Sequence, residues 1–160
     1  MRDTFGQLVL LGFIIVLVAL GLWYVDAAYF APGRMPPCRQ ENLPQGHVCF
    51  ENVMRDWGDR IIWIDARDQS SFERGHILLA EGRMFPLRKG GDYEELLNQA
   101  LERLLDANDR GECVVVFCGH NCSSASEIAA SLRELGMIEA PIYILEDGWD
   151  RIKKSAKLVP

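Results

Sequence analysis

Residues 113–136 read CVVVFCGHNCSSASEIAASLRELG, and the fold turns on them. CVVVF is an unbroken apolar, β-branched run of strand length, the pattern of a central strand buried on both faces. Ser124–Leu135 then reads as a helix, with Gly136 as its C-terminal signal. Cys118 therefore sits where a buried strand ends and a helix is about to begin. A tight loop there turns its backbone N–H groups toward a common point, and the helix adds the positive end of its dipole. An anion at that point is stabilised, whether a bound oxyanion or a thiolate or persulfide on Cys118 itself. A free thiol ionises near 8.5, and such surroundings lower that value by about one to several units. The thiolate is the nucleophile, so the position suits sulfur chemistry. The bland alternative is a structural core cysteine, and the strand-end position and Gly119 argue against it.

On the N-terminal side, Ile61–Asp65 (IIWID) is a second continuous apolar run of strand length. Short strands are expected at Val48–Phe50 and Ile142–Leu145, and Ile77–Ala80 is a further apolar stretch. Helices are expected at Glu51–Trp57 and Trp149–Lys154, with a single turn at Phe72–Arg74 capped by Ser70 or Ser71. Asp92 is expected to cap a stronger helix, with an apolar stripe of Tyr93, Leu96, Leu97, Ala100, Leu101, Leu104 and Leu105 and Gly111 as a stop. Strands alternating with helices predict an α/β fold, a mostly parallel central sheet with helices on both faces. Ligands in such sheets bind beyond the carboxyl ends of strands. That rule points to Asp65-Ala66-Arg67 and to Cys118 onward.

The chain has 160 residues, 49% apolar, and a net charge of −6. One domain is the natural expectation at this length. The acidic balance, with a pI near 5.1, argues against nucleic acid, which needs a basic face. Residues 8–25 read LVLLGFIIVLVALGLWYV without a charge. At 1.5 Å per residue such a helix spans about 27 Å, close to a bilayer core. Trp23 and Tyr24 at its end suit the interface. The length of the run and the lack of a small-x-small cleavage site favour an uncleaved anchor over a signal peptide. The expected organisation is a tail at 1–7, a transmembrane anchor in the lipid bilayer at 8–25 and a proline-containing spacer at 26–45. A domain comes next at 46–154, with a tail at 155–160. A very short N-terminal tail is expected to stay cytoplasmic, which puts the domain on the extracytoplasmic, periplasmic side.

Four motifs lie in order along the domain: Asp65-Ala66-Arg67 after a strand, Gly75-His76-Ile77, Cys118 after VVVF, and Leu145-Glu146-Asp147-Gly148-Trp149. In order and spacing they resemble the rhodanese-like (sulfurtransferase) domain family over about residues 46–154. The resemblance implies that the loop cysteine takes the terminal sulfur of a sulfane-sulfur donor as a persulfide. A nucleophilic acceptor, in cells a thiol, then removes it. By position Cys118 is the nucleophile. Gly119, His120, Asn121 and Ser123 belong to the six-residue binding loop, with Ser124 next to it. Asp65, Arg67 and His76 match framework residues near the site; Asp65 is expected to cap local N–H groups and Arg67 to pair with a carboxylate. No cofactor is implied.

The loop departs from many active relatives at Asn121 and Ser123, which stand where those carry a glycine and a cationic or polar group. No Lys or Arg lies between Cys118 and Arg133. An anionic donor such as thiosulfate would meet N–H groups and no fixed cation, with His120 charged only when protonated. Ser124 stands where same-fold phosphatases close a Cys-x5-Arg loop with arginine, so phosphatase activity is not expected. Cys122 forms a Cys-x3-Cys pattern with Cys118, as in some bacterial rhodanese-like proteins, and could resolve a persulfide or sulfenate there. A metal site is rejected, because Cys113 begins the strand roughly 16 Å away by strand rise. Cys38 and Cys49 can pair in an oxidising compartment, and Cys113 is read as core. Three readings stay open: a membrane-anchored sulfurtransferase, a thiol–disulfide redox protein using Cys118 and Cys122, and a non-catalytic docking module with an unnamed protein partner.

Overall fold

A computed structural model of the protein describes residues 14–21, 38–77, 83–119, 123–155 and 158–159. The chain divides into two compact units, Met1–Pro37 and Cys38–Pro160. In the first, residues 14–21 form helix α1, whose apolar side chains are exposed. Among the described residues no helix is long and apolar enough to cross a membrane. The rest of the expected anchor, residues 8–13 and 22–25, lies outside the described residues.

The second unit is a three-layer α/β domain. Its strands are β1 (His47–Val48), β2 (Ile61–Asp65), β3 (His76–Ile77), β4 (Met84–Pro86), β5 (Cys113–Phe117), β6 (Ile142–Leu145) and β7 (Leu158–Val159). Its helices are α2 (Phe50–Asp56), α3 (Gln69–Glu73), α4 (Tyr93–Leu105), α5 (Ser124–Glu134) and α6 (Gly148–Ser155). Five strands form one sheet in the order β1-β6-β5-β2-β4, every pair parallel. The two apolar runs that lack any period-2 alternation, IIWID and CVVVF, are the adjacent central strands, and all ten of their residues are buried.

Alternate residues of these strands face two separate cores, as the pleat requires. Ile62, Ile64, Val114, Val116, Ile142 and Ile144 pack beneath α4 and α5, against Leu97, Leu104, Ile128 and Leu132. Ile61, Trp63, Val115, Phe117 and Leu145 pack on the other face against Phe50, Val53 and Ile152 of α2 and α6. Of the stripe on α4, Leu97, Ala100 and Leu104 are buried, whereas Leu105 at the helix end is exposed.

Local differences from the sequence reading have local causes. The cap of α3 is Asp68, not Ser70 or Ser71: its carboxylate accepts the Ser71 N–H at 2.9 Å, and both serine hydroxyls donate to it. Asp92 precedes α4 without capping it, because its carboxylate turns to Arg88. The first strand ends at Val48, and Phe50 already belongs to α2. The last stretch of the expected spacer is part of the domain. A Cys38–Cys49 disulfide closes it, and Gln40 bonds both to the carbonyl of His47 (2.7 Å) and to the N–H of Cys49 (2.9 Å). Leu158–Val159, expected as tail, pairs antiparallel with β3 and so satisfies backbone groups on an otherwise short strand.

Candidate active site

Cys118 follows β5 directly and is only 4% exposed. Its position at the carboxyl end of the central strand, before α5, is the one expected from CVVVF. The residue is disulfide-bonded. Residues 120–122, which hold the expected loop residues His120, Asn121 and Cys122, lie outside the described residues. Among the described cysteines Cys113 is the free one, at the opposite end of β5 and buried; burial pushes its thiol up to about 12. A neutral, buried thiol of that kind is inert.

The backbone of Cys118 is held by the turn before α6. Trp149 N–H donates to the Cys118 carbonyl at 2.8 Å. Gly148 has φ +46°, and a Cβ there would collide with the same oxygen. Only glycine permits that approach. The preceding Asp147 also has a positive φ, 60°, and its carboxylate is held by Arg151 at 2.8 Å. The Glu-Asp-Gly-Trp sequence thus forms a wall beside Cys118.

Asp65 and Arg67 support that wall from the next strand. Asp65 is fully buried and accepts the Arg67 backbone N–H at 3.0 Å. It also takes both arms of the guanidinium, Nε at 2.9 Å and Nη2 at 2.6 Å. The same Nη2 donates to the Gly75 carbonyl at 2.9 Å, before β3. The guanidinium carbon lies 3.6 Å from the centre of the Trp149 ring, a cation–π contact. Trp149 stacks in turn on Phe117, the residue before the cysteine. The Asp-x-Arg motif therefore reaches Cys118 through Trp149 and Phe117. His76 contributes β3 backbone to the fold, and its side chain lies outside the described residues.

A cleft of about 360 Å³ opens over Cys118 at the carboxyl edge of the sheet. Gly119, Ser123 and Ser126 line it, whereas Ser124 is not among its described walls. The Ser123 hydroxyl donates to Glu127 Oε1 at 3.0 Å and does not cap α5. Two residues outside the sequence-derived site also line the cleft, His47 from β1 and Glu146 after β6. His47 Nδ1 lies 3.2 Å from Glu146 Oε2. His47 is the one basic side chain among the described lining residues, none of which is Lys or Arg. Glu146 lies within the Leu-Glu-Asp-Gly-Trp motif; His47, early in the chain, has no local signal and enters through strand pairing.

Residues 51–155 match the rhodanese-like domain family, well over half of the chain. The chain belongs to the rhodanese-like domain family. The match begins a few residues after the expected domain start and covers Cys118, the Asp-x-Arg motif and the turn into α6. Rhodanese-like membership is compatible with sulfurtransferase or a related activity, and many rhodanese-like domains are non-catalytic. No curated protein matches the chain. A solved structure, the N-terminal domain of a protein described as ATP/GTP-binding from Clostridium difficile 630, aligns with a TM-score of 0.45 at 18% identity. The alignment covers 68% of this chain and 96% of that one. A likeness at that score says nothing of function.

Proposed function

We propose that this rhodanese-like domain carries sulfane sulfur as a persulfide on Cys118 and passes it to a thiol acceptor. The observation that carries the reading is the placement of Cys118: at the end of β5, before α5, on the floor of a cleft with its carbonyl locked by Trp149. A polysulfide donor loses its terminal sulfur to the Cys118 thiolate, and the donor leaves one sulfur shorter. The acceptor thiolate then attacks the outer sulfur, and Cys118 leaves as thiolate. A dithiol reductant first opens the disulfide at Cys118 and frees the thiolate; after that neither step needs an oxidant or reductant. With no Lys or Arg among the described lining residues, a neutral or thiol-bearing donor suits the cleft better than thiosulfate.

The disulfide at Cys118 favours a second, related reading. The Cys-x3-Cys pattern offers Cys122 as the partner that a thiol–disulfide site would use. We propose that pairing as the oxidised form of the site. A persulfide on Cys118 attacked at its inner sulfur by Cys122 gives the disulfide and hydrogen sulfide, a balanced exchange. A dithiol reductant then restores both thiols. In this reading the domain is anchored through residues 8–25 and faces an oxidising compartment, where the Cys38–Cys49 bond is stable.

A transfer assay tests the first reading. The full-length protein with Cys122→Ser is treated with polysulfide, desalted and mixed with a small thiol. The acceptor is expected to gain one sulfur atom in proportion to protein, and a further Cys118→Ser change is expected to abolish it. An acceptor that gains no sulfur from a protein able to load none leaves the docking module as the surviving reading.

A further inference from the structure

His47 and Glu146 lie at the carboxyl edge of the same sheet as Cys118, in a register that brings them to one face. His47 pairs with Ile144, and Ile144 pairs with Val116. Val116 and Ile144 face the core beneath α4 and α5, as does Cys118, two residues beyond Val116. Glu146 stands two residues beyond Ile144, and its N–H donates to the Val48 carbonyl at 2.9 Å. All three residues line the one cleft. β1 is two strands from β5, about 10 Å at ordinary strand spacing.

One carboxylate faces the His47 ring directly. Glu146 Oε2 faces Nδ1 at 3.2 Å, with the His47 side chain 24% exposed. Asp147 lines the cleft with its charge held by Arg151, which also reaches Glu51 at 3.5 Å. Arg133 of α5 donates to the Ile142 carbonyl at 2.7 Å and packs beside Gly46. A carboxylate on Nδ1 fixes the tautomer with the proton on Nδ1, so that Nε2 carries the lone pair. Gln40, locked by the Cys38–Cys49 segment, holds the His47 carbonyl.

We propose that His47, oriented by Glu146, is the general base that takes the proton of the acceptor thiol as it attacks the persulfide on Cys118. This rests on the persulfide reading above. The S–H bond of the acceptor breaks and its proton goes to Nε2. A bond forms between the acceptor sulfur and the outer sulfur. The bond from the outer sulfur to Cys118 Sγ breaks, and its electron pair leaves on Cys118. The proton on His47 then returns to the Cys118 thiolate or to solvent, and no net oxidation occurs. The Glu146 carboxylate stabilises the transient imidazolium.

The test uses full-length Cys122→Ser protein purified without reductant, so that Cys38–Cys49 stays closed. Protein is loaded with polysulfide, its persulfide confirmed by mass, and the single-turnover transfer rate measured with two acceptors. One is an alkyl thiol, mostly protonated at neutral pH; the other is an aromatic thiol already ionised there. His47→Gln is expected to slow transfer to the alkyl thiol about 100-fold. It is expected to leave the aromatic thiol within about twofold, because no proton needs removing. Glu146→Gln keeps the shape of the turn and is expected to give a smaller deficit with the same acceptor dependence. Free imidazole is expected to restore part of the rate in His47→Gln. Equal slowing with both acceptors, or no slowing with either, overturns the role of His47 and leaves the persulfide reading standing. Failure of the starting protein to load any sulfur overturns that reading instead.

Discussion

At the scale of single residues, the site depends on a buried ion pair that never touches the cleft. Arg67 is 6% exposed and its partner Asp65 is fully buried. Removing one member of such a pair strands the other charge and costs about 3–5 kcal/mol. Arg67→Ala is expected to lose that much in urea unfolding. Arg67→Lys is expected to lose less, keeping the charge without the fork or the ring contact with Trp149. A loss below about 1 kcal/mol for the alanine variant contradicts the assigned role. Cys113 gives a pH dependence. Its thiol is pushed up to about 12 in the fold from an ordinary 9.0. The folded state therefore favours the proton more than the unfolded chain does. Its contribution to stability is full below about pH 9 and is lost as the pH climbs toward 12. The stability gap between wild type and Cys113→Val is expected to change across that range and to be flat below it. A gap that does not move above pH 9 contradicts the assignment.

At the scale of elements, what could be read in advance follows from how each element is stabilised. IIWID and CVVVF announce themselves because strands buried on both faces need no polar residue. β4 does not, because three residues ending in Pro86 carry no periodicity, and it forms only by pairing with β2. β1 and β7 are two residues each and owe their existence to partners distant in sequence. The same reason hid His47, whose place in the cleft comes from the His47–Ile144 register and from no motif around it. The place of Cys118 at a strand end was legible because its strand and helix are both strongly patterned; Asp65 and Arg67 stood out as a motif after a strand, and their pairing with each other shows only in the structure. The segment from Cys38 to Cys49 is an element held by its disulfide and by Gln40. Short disulfide-closed loops contribute about 2–4 kcal/mol. The Cys38→Ser, Cys49→Ser double variant is expected to lower stability by about that amount in denaturant unfolding. An unchanged midpoint contradicts the view that this segment belongs to the domain.

At the scale of the whole molecule, the chain separates into an apolar N-terminal unit and an acidic rhodanese-like one. The run at 8–25 proposes an anchor. In cell fractions the full chain is expected to stay with membranes through an alkaline wash, and a chain beginning at Cys38 is expected to leave them. A full chain that washes free contradicts the anchor without touching the chemistry. That chemistry rests on Cys118, and an intact-mass comparison reaches it. The reduced full-length Cys122→Ser protein is exposed to polysulfide and weighed beside the Cys118→Ser, Cys122→Ser double variant. The expected outcome is a gain of one sulfur atom that survives desalting, maps to Cys118 and is absent from the double variant. An unchanged mass in both proteins, or an equal gain in both, rules out Cys118 as the sulfur carrier.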